Sequence, residues 1–232
     1  MFGALRRAAG AVVIFNLVAA VGLAEPSLAQ VEPPASANVA ATAPTANLIA
    51  GPAADEPDAK MTISGSTRPP IGYLGFCRKF PAECKRHGDT RAVALSESLW
   101  TELVAVNRVI NRQIAPVTDL EKYNVEELWT IPIDSGDCED YVLLKRQALM
   151  RQGWPSGALL VTVVFDEIGD GHAVLIVRTD RGDFALDNKV DAIRIWSQTP
   201  YRYVKRQSIS DPDRWVAVQD PRWPAGSLAS SN

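Results

Sequence analysis

The chain changes its hydrophobic period once, near residue 155, and that change limits the fold more than any other feature. From Cys138 to about Gln152, Tyr141, Leu144, Ala148 and Leu149 recur at helical spacing, with Gly153 and Pro155 as stop signals. After that the apolar residues come in short β-branched runs: "ALLVTVVFD" from 158, "HAVLIVRT" from 172, "DFALDN" from 183, "AIRIW" from 192 and "YRYVKRQ" from 201. The turns "EIGDG" and "DRGD" are short enough to join the first three runs as hairpins. Upstream, "TRAVAL" (90–95) reads as a short strand, and Ser96 caps a helix from about Glu97 to Arg112. Its core stripe is Leu99, Leu103, Ile110 and Ile114, flanked by Trp100 and Val104. Helices first and strands after predict an α+β fold, with N-terminal helices packed on an antiparallel meander.

The ends of the chain differ in composition from this middle. Arg6 and Arg7 precede an apolar run from Ala8 to Leu23, and small residues follow at Ser27 and Ala29. Residues 1–29 are therefore expected to be a secretory signal cut after Ala29 or, alternatively, Ala24; a retained anchor is the competing reading. Residues 30–66 are Ala/Pro-rich and show no period, so they read as a tether that cannot bury enough apolar surface to order itself. This leaves residues 67–226 as one domain holding all six tryptophans, and 227–232 as a flexible tail. A net charge of −3 gives no basic footprint for nucleic acid, and a monomer is expected. Periplasmic or secreted placement favours disulfides, and Cys77 and Cys84 are spaced to pair around a turn. Cys138 is then the odd thiol.

A cysteine nucleophile needs an imidazole within reach and a third group to orient the ring. The chain has two histidines, and His87 lies in the polar loop "CKRHGD", a solvated setting. His172 opens a strand. If Arg178 or Thr179 faces Asp183 across the "DRGD" turn, antiparallel counting places His172 opposite residues 188 to 190, within a pair or two of Asp187. The simpler reading is that Asp187 and Asn188 only start a turn. Cys138 also has acids on both sides, Asp137, Glu139 and Asp140, which work against a thiolate. Either Asp137 caps the helix and the others favour its dipole, or the three hold a hard cation that reverses their field.

"GDCEDYVLLKRQAL" and "GHAVLIVRTDRGDFALDN", with "LW" before "TIP" and the later "RQS", resemble the bacterial transglutaminase-like cysteine peptidases over nearly all of residues 73 to 218. The resemblance implies a papain-like, transglutaminase-type core with Cys138 as nucleophile, His172 as general base and acid, and Asp187 as orienting carboxylate. It further implies Ca2+ at Asp137, Glu139 and Asp140, a protein substrate of the surface-adhesin kind and an inner-membrane regulatory protein. The Cys77/Cys84 pair and the Ala/Pro tether depart from the adhesin-processing pattern. Three functions compete: an exported cysteine endopeptidase, a transamidase or amidase using the same residues, and a calcium-responsive binding module that turns nothing over.

Overall fold

The structure, a computed structural model, describes residues 59–85 and 88–223. The expected signal (1–29), most of the tether, the tail from 227 and His87 lie outside the described residues. Among the described residues no helix is long and apolar enough to cross a membrane.

Seven strands form one antiparallel sheet: β1 (Thr62–Thr67), β4 (Leu159–Phe165), β5 (Gly171–Thr179), β6 (Gly182–Leu186), β7 (Arg194–Ile195), β8 (Arg202–Gln207) and β9 (Trp215–Gln219). Their spatial order is β1-β9-β8-β4-β5-β6-β7. The run β4 to β7 is the expected meander, but β8 returns to the far side of β4, so the sheet is not a simple meander throughout. Two short strands, β2 (Ala115–Pro116) and β3 (Ser135–Gly136), pair in parallel apart from it. Residues 90–95 contribute only a single bridge, Val93 to Thr179.

Among the described residues, four α-helices accompany the sheet: α1 (Ile71–Lys79), α2 (Glu97–Gln113), α3 (Asp119–Tyr123) and α4 (Cys138–Arg151). Ser96 caps α2 as expected, accepting from the Leu99 amide. Trp100, Leu103, Val106 and Ile110 on α2 are buried, and the helix packs against α4, which in turn lies on β5 and β4. α4 is enclosed well beyond the expected stripe, for Val142, Leu143, Lys145 and Arg146 are buried as well. The core therefore sits between these helices and a sheet whose central strands carry Leu159, Leu160, Val161, Val174, Leu175 and Ile176 with no exposure. Strands buried on both faces read as continuous apolar runs, which is how β4 and β5 were legible.

The domain begins earlier than expected. Residues 59–66, read as the end of the tether, are ordered: Ala59 and Met61 are buried in the core, and β1 pairs with β9. Tether-like composition misled here because five of the six β1 residues are exposed, so its order comes from backbone pairing. Just before β1, the Asp183 amide donates to the Ala59 carbonyl (2.7 Å) and the Met61 amide donates to the Asp183 carboxylate (2.9 Å). Gly182, at φ 138°, leaves room for this segment, because a Cβ there would meet the Ala59 carbonyl. Met61 touches β6 while its neighbour Thr62 faces Gln219 of β9, so the sheet curls until one stretch of chain bridges both flanks.

Cys77 and Cys84 form a disulfide, with Cα atoms 5.6 Å apart. Arg146 of α4 donates to the Glu83 carbonyl (3.2 Å), fastening the bridged turn to the helix.

Candidate active site

Cys138 is the first residue of α4, and Asp137 before it has extended backbone, as an N-cap should. The Asp137 side chain does not cap the helix, however; its Oδ2 accepts from the Asp119 amide at 3.2 Å. The cause is the parallel pairing of β2 with β3, which aligns Ala115 with Ser135 and Pro116 with Gly136. That pairing carries the N-terminus of α3, fixed by a Thr118/Glu121 capping box, to the start of α4.

His172 is the second residue of β5 and buried. It stands at the end of an interior strand rather than at the edge of the sheet. The register is the one counting anticipates, with Arg178 opposite Asp183, but the β5–β6 ladder stops at Leu175 and Leu186. Beyond that point the chain turns, and Asp187 points back so that its Oδ1 lies 2.9 Å from His172 Nε2. An ionised carboxylate only accepts, so Nε2 carries the ring proton and Nδ1 is left as the basic nitrogen. Cys138 heads the helix that packs on β5, and the backbone amide of Ala173, next to His172, favours its thiolate, though burial and Glu139 outweigh that effect.

Asp187 is itself heavily supported. Its Oδ1 also accepts from the Lys189 amide (3.0 Å), and its Oδ2 accepts from the Tyr201 hydroxyl. Burial works against its charge, but the hydrogen bond and charge of His172, with the Tyr201 and Lys189 bonds, outweigh it and hold the carboxyl below its usual range. From α2, Asn111 donates to the Asp187 carbonyl (2.9 Å) and Asn107 to that of Asp191 (3.1 Å), pinning the turn from both ends. The turn reading of Asp187 and Asn188 and the orienting position of Asp187 are thus the same piece of structure.

The acids do not gather as expected. Carboxylate oxygens of Asp119, Asp137 and Glu139 all lie within 4.8 Å of one another, so Asp119 takes the place expected for Asp140. Asp140 turns away and accepts from the Thr130 amide at 2.8 Å, against Gly136, where any Cβ would collide with it. Burial first, then the charge of Asp137, pushes the Glu139 carboxyl up to about 9. Burial, with the Asp119 charge second, raises that of Asp137. The Cys138 thiol, raised well above its ordinary value by burial and then by Glu139, donates to Glu139 Oε2 at 3.2 Å.

Sequence reasoning missed Asp119, Tyr201 and the Asn107/Asn111 pair. The asparagines did carry a signal, two amides four residues apart on a helix whose stripe is otherwise apolar. Asp119 and Tyr201 arrive through tertiary packing, and no local pattern marks them.

The sequence model of the bacterial transglutaminase-like cysteine proteinases (BTLCP) matches residues 63–223. Among solved structures, calcium-bound LapG of Legionella pneumophila is 25% identical, with 46% of this chain and 63% of that one covered and a TM-score of 0.41. The EGTA-treated form of the same protein is 24% identical over 53% and 72% of the two chains, with a TM-score of 0.44. The chain thus spans a little under two thirds of the calcium-bound relative. No match is found among curated proteins. The family match covers the sheet, α4 and the whole Cys138–His172–Asp187 region, and the chain belongs to the bacterial transglutaminase-like cysteine proteinases.

Proposed function

We propose that the protein is an exported cysteine endopeptidase acting through a thioester acyl-enzyme, with Cys138, His172 and Asp187 as its triad. The observation that carries this is the His172–Asp187 pair, 2.9 Å apart and buried, at the end of the strand on which α4, headed by Cys138, packs. His172 Nδ1 takes the thiol proton as sulfur attacks the peptide carbonyl, then gives it to the leaving amine. Water, deprotonated at the same nitrogen, cleaves the thioester, releasing the acid and restoring the thiol. The Cys138 amide, at the start of α4, is a donor for the oxyanion.

Asp119, Asp137 and Glu139 fit a hard divalent cation, for the oxygens converge and Asp137 Oδ1 is buried without a hydrogen-bond partner. Calcium held there would offset the Glu139 and Asp137 charges that, after burial, keep Cys138 protonated. The calcium-bound form of the Legionella relative supports this reading. Export is supported by the expected signal and by the Cys77–Cys84 disulfide. The substrate is a protein, with a surface adhesin the first case to test and an inner-membrane protein as regulator.

The test is Cys138→Ala. Compared with wild type in the exported proteome, the variant loses a neo-terminus while keeping its melting temperature; an unchanged proteome would refute the reading. Product mass in the presence of a primary amine separates hydrolysis from transamidation.

A further inference from the structure

Tyr201 immediately precedes β8, 14 residues beyond Asp187 and on a different loop, yet it closes the site. Its hydroxyl is the hydrogen-bond partner of Asp187 Oδ2, and its ring meets that of His172 edge-on at 5.4 Å. The residue is buried. One side chain therefore fixes the rotation of the carboxylate and covers the face of the imidazole.

The loop that presents Tyr201 is held by another residue, Arg222. Its guanidinium donates to the carbonyls of Ser197 (2.8 Å), Thr199 (2.7 Å) and Tyr201 (2.9 Å). Asp220 sets the guanidinium with bonds of 2.8 and 2.7 Å, and the group lies over the rings of Trp196 and Tyr203. A planar fork that meets three carbonyls and a carboxylate together is a task lysine cannot copy. Hydrogen bonds run without a gap from Asp220 through Arg222 and the 197–201 loop to Tyr201, Asp187 and His172.

We propose that Tyr201 is a positioning residue of the triad, and that Arg222 acts on the reaction through it. This rests on the triad assignment above. The hydroxyl bonds the ionised form of Asp187 more strongly than the neutral acid, so its loss lets the carboxyl take a proton at higher pH. A protonated Asp187 no longer supports the imidazolium, so the acid limb of the reaction moves upward.

Cys138 is the one free cysteine, so its alkylation by iodoacetamide across pH, in calcium, reads the site without a known substrate. Wild type is expected to react faster than N-acetylcysteine at neutral pH. Tyr201→Phe should react about tenfold more slowly even on the pH plateau, because the carboxylate and ring are no longer aimed, and its acid limb should rise by about one pH unit. Arg222→Lys should move both in the same direction by less, and the double variant should match Tyr201→Phe alone, since one acts through the other. The Arg222 side chain is 31% exposed, so that variant keeps the test open should Tyr201→Phe fail to fold. A wild-type profile in both variants, with wild type itself fast, overturns the inference and leaves the triad standing. Wild-type reactivity no greater than that of the model thiol overturns both.

Discussion

At the scale of single residues, the site turns on how a buried carboxylate is kept ionised and aimed. Asp187 has its two oxygens divided between His172 with Lys189 on one side and Tyr201 on the other. Asp187→Asn keeps the shape and removes the charge, so the imidazolium loses its stabilisation and the ring can adopt the wrong tautomer. Cleavage and Cys138 alkylation should then fall by roughly 10²–10⁴-fold with the melting temperature within a few degrees of wild type. A loss under about threefold would remove Asp187 from the triad. The placement of Cys138 at a helix start, of His172 at a strand start and of Asp187 beside it was legible from sequence through local rules, the last by a count across a four-residue turn. Asp119 and Tyr201 were not, because what brings them in is the β2–β3 pairing and the Arg222 clamp.

At the scale of elements, the start of α4 gathers acids that need their protons. Glu139 is pushed up to about 9 and Asp140 to about 7, burial being the largest cause for both, and Asp137 is raised as well. For carboxyls whose folded-state pKa exceeds the unfolded value, the folded state binds more protons. Their stabilisation is then complete below about pH 4, the unfolded range, and is lost as pH rises toward the folded values. Lys145, buried and pushed down to about 7 by desolvation, acts oppositely, but only above that pH. In chelator the melting temperature should therefore fall from pH 5 to pH 7. Millimolar calcium should flatten that fall, because a cation favours the ionised acids, and Glu139→Gln should flatten it without calcium. Identical slopes with and without calcium would remove the cation site. The elements themselves show the same division as the residues. α2, α4 and β4 to β6 carry strong periods, whereas α3 is five residues long and held by its capping box, too short for a period to show.

For the whole molecule, the open question is what closes the sheet, and the answer lies in residues whose composition reads as linker. Ala59 and Met61 engage Asp183 on β6, and one residue later β1 begins its pairing with β9. The segment thereby covers exposed edges on both flanks of the curled sheet, which otherwise present unpaired backbone groups to other chains. A protein starting at Ala59 keeps this closure, whereas one starting at Arg68 exposes β9 and leaves the buried Asp183 carboxylate without the Met61 amide. Burial pushes the Asp183 carboxyl up even with that amide in place, so it has no charge stabilisation to spare. Losing Met61 from the core costs about 1.5–3 kcal/mol, and leaving the carboxylate short of a donor about 1–3 kcal/mol more. For a domain of this size each kcal/mol is about 2–4 °C, so the shorter protein should melt roughly 5–24 °C lower and associate through β9. Circular dichroism melts and light scattering on the two proteins measure this directly. Melting points within about 3 °C, with both proteins monodisperse, would mean that β1 is an accessory to the fold rather than its closure.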